Sequence, residues 1–321
     1  MELHYLSKVN TDCLKGLLAV SVMLHHFAQV ADFRLNLLSY MLAPFGTLSV
    51  AAFFFLSGYG LMLSVNQKGQ AYIHSFPRSR ILPYYIICVA LVMLSVVNSL
   101  VAQNETITLW LVLQSVTFGP DTIVAKGWYL QVSLLSYISF YLLYTMMPRA
   151  KGRAWVAMAS VVLFCVVCRL YDFPQYYYQT IPVILLGAVW YKNRYVMDEL
   201  LGKKWFVLMT AALFLCVMFL TKVMDRSGYF WNLAEVLLFI PILIAAVRYI
   251  KIENNLTRYL GSISFELYIL HGMFMVLFRS KFMYISTDYL YFMVVAAATM
   301  ICSNLAAPVI RKIYATFRAH I

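Results

Sequence analysis

The chain has 321 residues, 63% of them apolar and only 12% charged, with a mean hydropathy of +0.78. Soluble domains hold about 45–50% apolar and about 25% charged residues, and a folded globule still needs a polar skin. A water-soluble domain is therefore excluded, and lipid is the solvent that fits. The net charge of +12 does not mark a nucleic-acid binder, because the Lys and Arg residues sit in short loops between apolar runs rather than on one face of a soluble domain. They read as topology signals and as contacts to anionic membrane lipids.

A helix needs about 20 apolar residues to cross the hydrocarbon core. That rule predicts an all-α, polytopic bundle of ten spans, near 13–32, 45–65, 81–102, 127–147, 154–171, 175–193, 205–222, 230–248, 260–279 and 288–308. The segment 109–118 is too short to cross and is expected in the interface. No repeat or linker divides the chain, so a single integral-membrane domain over 1–321 is expected. No cleavable signal peptide is predicted, since the first apolar run is long and more spans follow it. With both termini cytoplasmic, 17 of the 25 Lys and Arg residues fall in inside loops and seven in outside loops, Lys15 being left in the first span. That asymmetry obeys the positive-inside rule. The six cysteines all lie in apolar runs, and the CxxC of Cys165 and Cys168 has no second ligand pair. They read as small packing residues, and no metal site is expected.

An ionisable group at membrane depth costs several kcal/mol unless it faces protein or water, which makes it a functional candidate. Lys15 and His26 in the first span and His271 in the ninth stand out. Histidine is the side chain whose ordinary pKa allows proton exchange near neutral pH. Lys15 and His26 are eleven residues apart, which places both on one helix face with a rise of about 16 Å. A ligand with an anionic head and a long reactive arm, such as acyl-coenzyme A, matches a cation near the mouth and an imidazole deeper in. The bland alternatives are a snorkelling lysine and a packing histidine. His25 lies about 100° round the helix from His26 and is expected to be structural or to support the site from behind. Ser264, Tyr268 and His271 recur at i, i+4 and i+7, one helix face. Glu266 points away from that stripe and needs a partner. Glu235, near the start of the eighth span, could reach the interface and ranks lower.

These residues fall in segments that resemble the acyltransferase-3 family of bacterial membrane proteins. DCLKGLLAVSVMLHHF carries a basic residue, ten intervening residues and a histidine, with Lys15 where the family usually has Arg. The charge is kept but the bidentate fork is lost. AAFFFLSGYGLMLS is similar to the family's Phe-Phe-x-Leu-Ser-Gly-Tyr segment, in which Ser57, Gly58 and Gly60 also suit close helix approach. FPRSRILPYY is similar to the family's basic loop. The resemblance places Arg78 and Arg80 at a nucleotide-phosphate head, and topology alone accounts for them equally well. GWYLQVSLLSY resembles the tryptophan segment around Trp128, an aromatic that also suits an interfacial anchor; Ser133 stands where many members have Glu, so no catalytic acid is expected there. YLGSISFELYILHG, with His271, is similar to the family's last conserved segment.

The resemblance covers most of the chain and implies an enzyme, a membrane O-acyltransferase of the bacterial cytoplasmic membrane. It would move an acyl group, commonly acetyl, from acyl-CoA to a sugar hydroxyl of a surface polysaccharide or its lipid-linked precursor. On this reading His26 and His271 are catalytic, and Lys15, Arg78 and Arg80 bind the donor. Trp128, Ser264, Glu266 and Tyr268 contact substrate or support the site. Acyl-CoA is a substrate, with no permanently bound cofactor expected, and the partners are a carbohydrate acceptor and membrane lipids, without nucleic acid. The rival reading is a transporter or flippase of a lipid-linked sugar or small solute. Many transporters carry inverted repeats and Gly/Pro-broken helices in matching halves, and neither is visible here.

Overall fold

In hydrocarbon a segment must satisfy its own backbone N–H and C=O groups, and a helix does this without help. The computed structural model describes residues 4–30, 44–103, 107–117, 119, 121–147, 152–222, 224 and 228–319. Among them every regular element is helical and no strand forms. In chain order α1 is Lys8–Val30, α2 Phe45–Phe76, α3 Leu82–Ala102, α4 Leu109–Thr117, α5 Trp128–Met146, α6 Arg153–Leu170 and α7 Pro182–Lys192. There follow α8 Arg194–Gly202, α9 Lys204–Lys222, α10 Tyr229–Tyr249, α11 Asn255–Ser262, α12 Ser264–Leu277 and α13 Asp288–Arg318. A π-helical turn, Pro77–Ile81, joins α2 to α3.

Six stretches among the described residues are long and apolar enough to cross a membrane: α1, the continuous run Phe45–Ala102, α6, α9, α10 and α13. Counting the bent pair α11 and α12 as one span makes seven. The run of 58 residues contains both spans expected at 45–65 and 81–102. The span expected at 127–147 is α5, which is diluted by Gln131 and by serines and tyrosines. The span expected at 175–193 is helical from Pro182 onward for only 11 residues. A 3-10 turn, Gln175–Tyr177, and further turns occupy its first half, directly after Pro174, since proline fixes φ and lacks an N–H. The short helix α4, at nine residues, agrees with a segment that does not cross. Of the cations used to orient the chain, Arg34, Arg149, Lys151 and Arg226 lie outside the described residues.

The helices turn apolar side chains outward, as lipid-facing helices do. On α6 only Cys168 is buried, and on α9 only Thr210 and Thr221. Leu163, Leu215 and Phe219 are exposed.

The chain groups into two compact units. The first comprises Met1–Leu18, Thr47–Gln70 and Arg149–Gly261. Within it α2 and α7 touch at glycines: a Cβ on Gly58 would meet the Ile184 carbonyl oxygen at 2.0 Å, and one on Gly187 the Phe55 oxygen at 2.1 Å. Gly60, expected to serve the same approach, has nothing within 4 Å of its Cβ position. Arg248 on α10 pairs with Asp198 on α8 and lies 5.6 Å from the Tyr5 ring centre. Glu235 differs from expectation. It is 3% exposed rather than interfacial, 3.7 Å from Lys222, and accepts the Thr221 hydroxyl at 3.4 Å.

The second unit comprises Ala19–Gly46, Ala71–Pro148 and Ser262–Ile321. Here Asn98 on α3 donates to the Met273 carbonyl on α12 at 3.3 Å. Gly272 lets α12 lie against the loop before α5, since a Cβ there would sit 2.3 Å from the Ala125 carbonyl oxygen. Phe27, Met275, Tyr291 and Val295 form a buried cluster that holds the end of α1 to α12 and α13. Arg279 completes that attachment: it donates to the Val30 carbonyl at 3.3 Å, pairs with Asp288, and stands 4.5 Å from the Tyr291 ring centre. A cation on the last carbonyls of a helix is favoured by the helix dipole.

Candidate active site

The last turns of α1 are built into the second unit by Phe27 on one side of the helix and by His25 on another. A Cβ on Gly46, at the start of α2, would meet the His25 ring at 2.3 Å. His25 is therefore packed against the backbone at Gly46, and its ring also meets that of His26 edge-on at 4.9 Å. His26, between the two, faces α12, and its ring stacks on that of His271 at 5.4 Å between centres and 13° between planes. The two histidines singled out from sequence, 245 positions apart, are thus brought together.

His271 is 1% exposed. Its Nδ1 lies 2.7 Å from the Tyr268 carbonyl oxygen and 3.2 Å from that of Leu267. A carbonyl only accepts, so Nδ1 carries the proton and Nε2 presents a lone pair. That Nε2 is buried with no hydrogen-bond partner among the described residues. A buried polar atom left unpaired costs about 1–3 kcal/mol, a cost that a substrate hydroxyl or an exchanged proton would offset.

Three further side chains surround the pair. Gln29 Oε1 is 3.0 Å from His26 Nδ1, and Gln29 Nε2 is 3.0 Å from His25 Nε2. Lys126 Nζ donates to Gln29 Oε1 at 3.4 Å. The Lys126 side chain is exposed, and the neighbouring protein still desolvates its ammonium enough to lower it from lysine's ordinary value, because desolvation disfavours the charged form. Its backbone has φ of 60°, a left-handed conformation that costs an L-residue about 1–2 kcal/mol. Tyr268 secures it: its hydroxyl donates to the Lys126 carbonyl at 3.2 Å, and its ring contacts those of His271 at 5.8 Å and Tyr129 at 5.2 Å.

The other residues named from sequence fall as follows. Trp128 begins α5 and packs edge-on against Tyr129 at 6.4 Å. Ser264 and Glu266 are buried at the start of α12, and Glu266 feels the charge of Arg311. Lys15 belongs to the first unit and pairs with Asp12 at 2.9 Å, with both side chains well exposed. Arg78 and Arg80 lie in the π-helical turn. Arg78 lines a cleft of about 940 Å³ in the second unit, together with Ile81, Tyr85, Thr117 and Phe317. Arg80 lies close enough to Tyr314 and Arg318 to interact electrostatically. Among the described residues no cluster of His, Cys, Asp or Glu could hold a metal ion.

Gln29 and Lys126 were not picked out from sequence. Gln29 had a legible signal, since i+3 from His26 and i+4 from His25 are the helix-neighbour spacings. In the sequence Lys126 is one cation in a short loop between apolar runs. Its neighbours come from a turn of chain that no spacing rule reaches.

A multi-pass helical membrane protein with a buried imidazole stacked on a half-buried one has the equipment of a membrane-embedded group-transfer enzyme. A family model described as an acyltransferase domain, that of the acyltransferase-3 family, matches residues 9–307. The chain belongs to that family and is an acyltransferase. No curated protein and no solved structure matches it.

Proposed function

We propose that the protein is an O-acyltransferase of the bacterial inner membrane that moves an acyl group, commonly acetyl, from acyl-CoA to a sugar hydroxyl of a surface polysaccharide or its lipid-linked precursor. The observation that carries this reading is the stacked pair of His26 and His271, with the Nε2 of His271 buried and without a hydrogen-bond partner among the described residues. His26 either passes the acyl group on or acts as general base; as base, its Nε2 takes the proton of the acceptor hydroxyl as that oxygen attacks the thioester carbonyl carbon. A C–O bond forms, the C–S bond breaks, and the leaving CoA thiolate takes that proton. His271 assists in proton handling or holds the acceptor hydroxyl. Lys15, Arg78 and Arg80 are assigned to the donor's phosphates, supported for Arg78 by the cleft it lines. Trp128, Ser264, Glu266 and Tyr268 orient substrate or the two bases. The chain is read as one integral-membrane acyltransferase domain over 1–321, with ten spans and cytoplasmic termini supported by the charge asymmetry.

The test compares O-acyl groups on cell-surface glycans, by NMR and mass spectrometry, in deletion cells carrying wild type or His26→Ala at matched protein levels. Ester restored only by wild type supports the assignment and names the acyl group and its sugar. Equal restoration removes His26 from catalysis. No ester difference on any glycan returns the transport reading.

A further inference from the structure

Gln29 stands between three partners, and the chemistry of one of them decides the other two. The amide of Gln29 could in principle turn either its oxygen or its nitrogen toward His26, and each choice would leave the opposite tautomer on both histidines. Lys126 removes that freedom. An ammonium has three donors and no acceptor, so the atom 3.4 Å from its Nζ must be the Gln29 oxygen. The same oxygen, 3.0 Å from His26 Nδ1, accepts from that nitrogen. The amide nitrogen then donates to His25 Nε2, 3.0 Å away on the same helix.

From this geometry we infer that Gln29 and Lys126 are positioning residues of the histidine site: Lys126 holds the Gln29 amide in one orientation, and Gln29 fixes His26 with its proton on Nδ1 and its Nε2 lone pair available to accept a proton. The inference rests on the reading of His26 as the base. His271 reaches the same tautomer by a different device, the backbone carbonyls of Leu267 and Tyr268. Both imidazoles of the stack thus offer Nε2. The anchoring of Lys126 supports a role beyond topology. A lysine whose only task was to orient the chain would have no need of a left-handed backbone or a tyrosine on its carbonyl. Strained backbone conformations are retained where the surroundings over-determine them, often at functional sites.

The tautomer can be read without any substrate. The full chain, purified in detergent with ¹⁵N-labelled histidine, gives imidazole shifts that distinguish Nδ1–H from Nε2–H, and the His26 signals are assigned by difference from His26→Ala. Wild type is expected to show the Nδ1–H form at His26. Gln29→Leu should convert it to the Nε2–H form or a mixture, and so should Lys126→Gly, which removes the ammonium and relieves the left-handed backbone. Lys126→Arg should restore the wild-type spectrum. In complemented cells the two disrupting variants should reduce glycan ester on the order of 10²-fold, as expected when a general base is lost from its working form. An Nε2–H tautomer in wild type, or a tautomer unmoved by both variants, would overturn the inference. If the tautomer moves as expected while His26→Ala keeps full activity, the positioning stands and the assignment of His26 as base falls.

Discussion

His26 is separated from its neighbour His25 by what each ring touches. His25 lies against Gly46 and edge-on to His26 at 4.9 Å, whereas His26 alone of the two stacks on His271 of α12. His26→Ala is therefore expected to lower glycan ester by about 10²–10⁴-fold. His25→Ala should cost far less, measured in the same complemented cells; the reverse ranking would mean that the wrong ring has been assigned. Helical periodicity puts these two adjacent residues on different faces, because 100° per residue holds wherever the helix is regular. It could not reveal Lys126, whose position depends on a non-helical turn and on a glycine of α12 that admits it.

At the scale of elements, the site depends on three segments held in register: the end of α1, the loop before α5, and α12. Two contacts test that register. Gly272→Ala would place a Cβ 2.3 Å from the Ala125 carbonyl oxygen, and overpacking of this kind costs about 1–3 kcal/mol. We expect a lower thermal midpoint together with loss of ester, because the displaced loop carries Lys126. Gly60→Ala, with open space at its Cβ position, should change stability by no more than about 0.5 kcal/mol, and a large loss there would contradict the packing described for α2. Arg279 binds the α1 terminus and Asp288 together. Arg279→Ala should destabilise by about 2 kcal/mol, the scale of hydrogen bonds to charged groups. Arg279→Lys should recover only part of this, since a single ammonium cannot reproduce the guanidinium fork. Thermal unfolding of the purified variants distinguishes the two. Helices such as α6 and α9 were legible in sequence as uninterrupted apolar runs. The late start of α7 at Pro182 was not, because apolarity alone does not separate a helix from the extended and 3-10 segment before it.

For the molecule as a whole, the charge asymmetry of the loops predicts cytoplasmic termini. A fluorescent protein fused after residue 321 should therefore mature, and a secreted phosphatase fused there should stay inactive; the opposite pattern would reject the orientation. Composition by itself established that the solvent is lipid and that the fold is a helical bundle, since 63% apolar residues cannot be covered by a polar skin and helices satisfy their own backbone in hydrocarbon. Ordered segments of sequence also pointed to the acyltransferase family that the chain proves to belong to. Only the tertiary structure decided which distant polar groups meet. It stacked His26 on His271, buried Glu235 against Lys222, and placed Lys126 on Gln29. The reason is physical. Hydrophobicity and helical period act along the chain and are readable from it, whereas hydrogen bonds and ring contacts between distant segments depend on how close the helices come, and that distance is set by glycines and packing at crossings that sequence spacing does not encode.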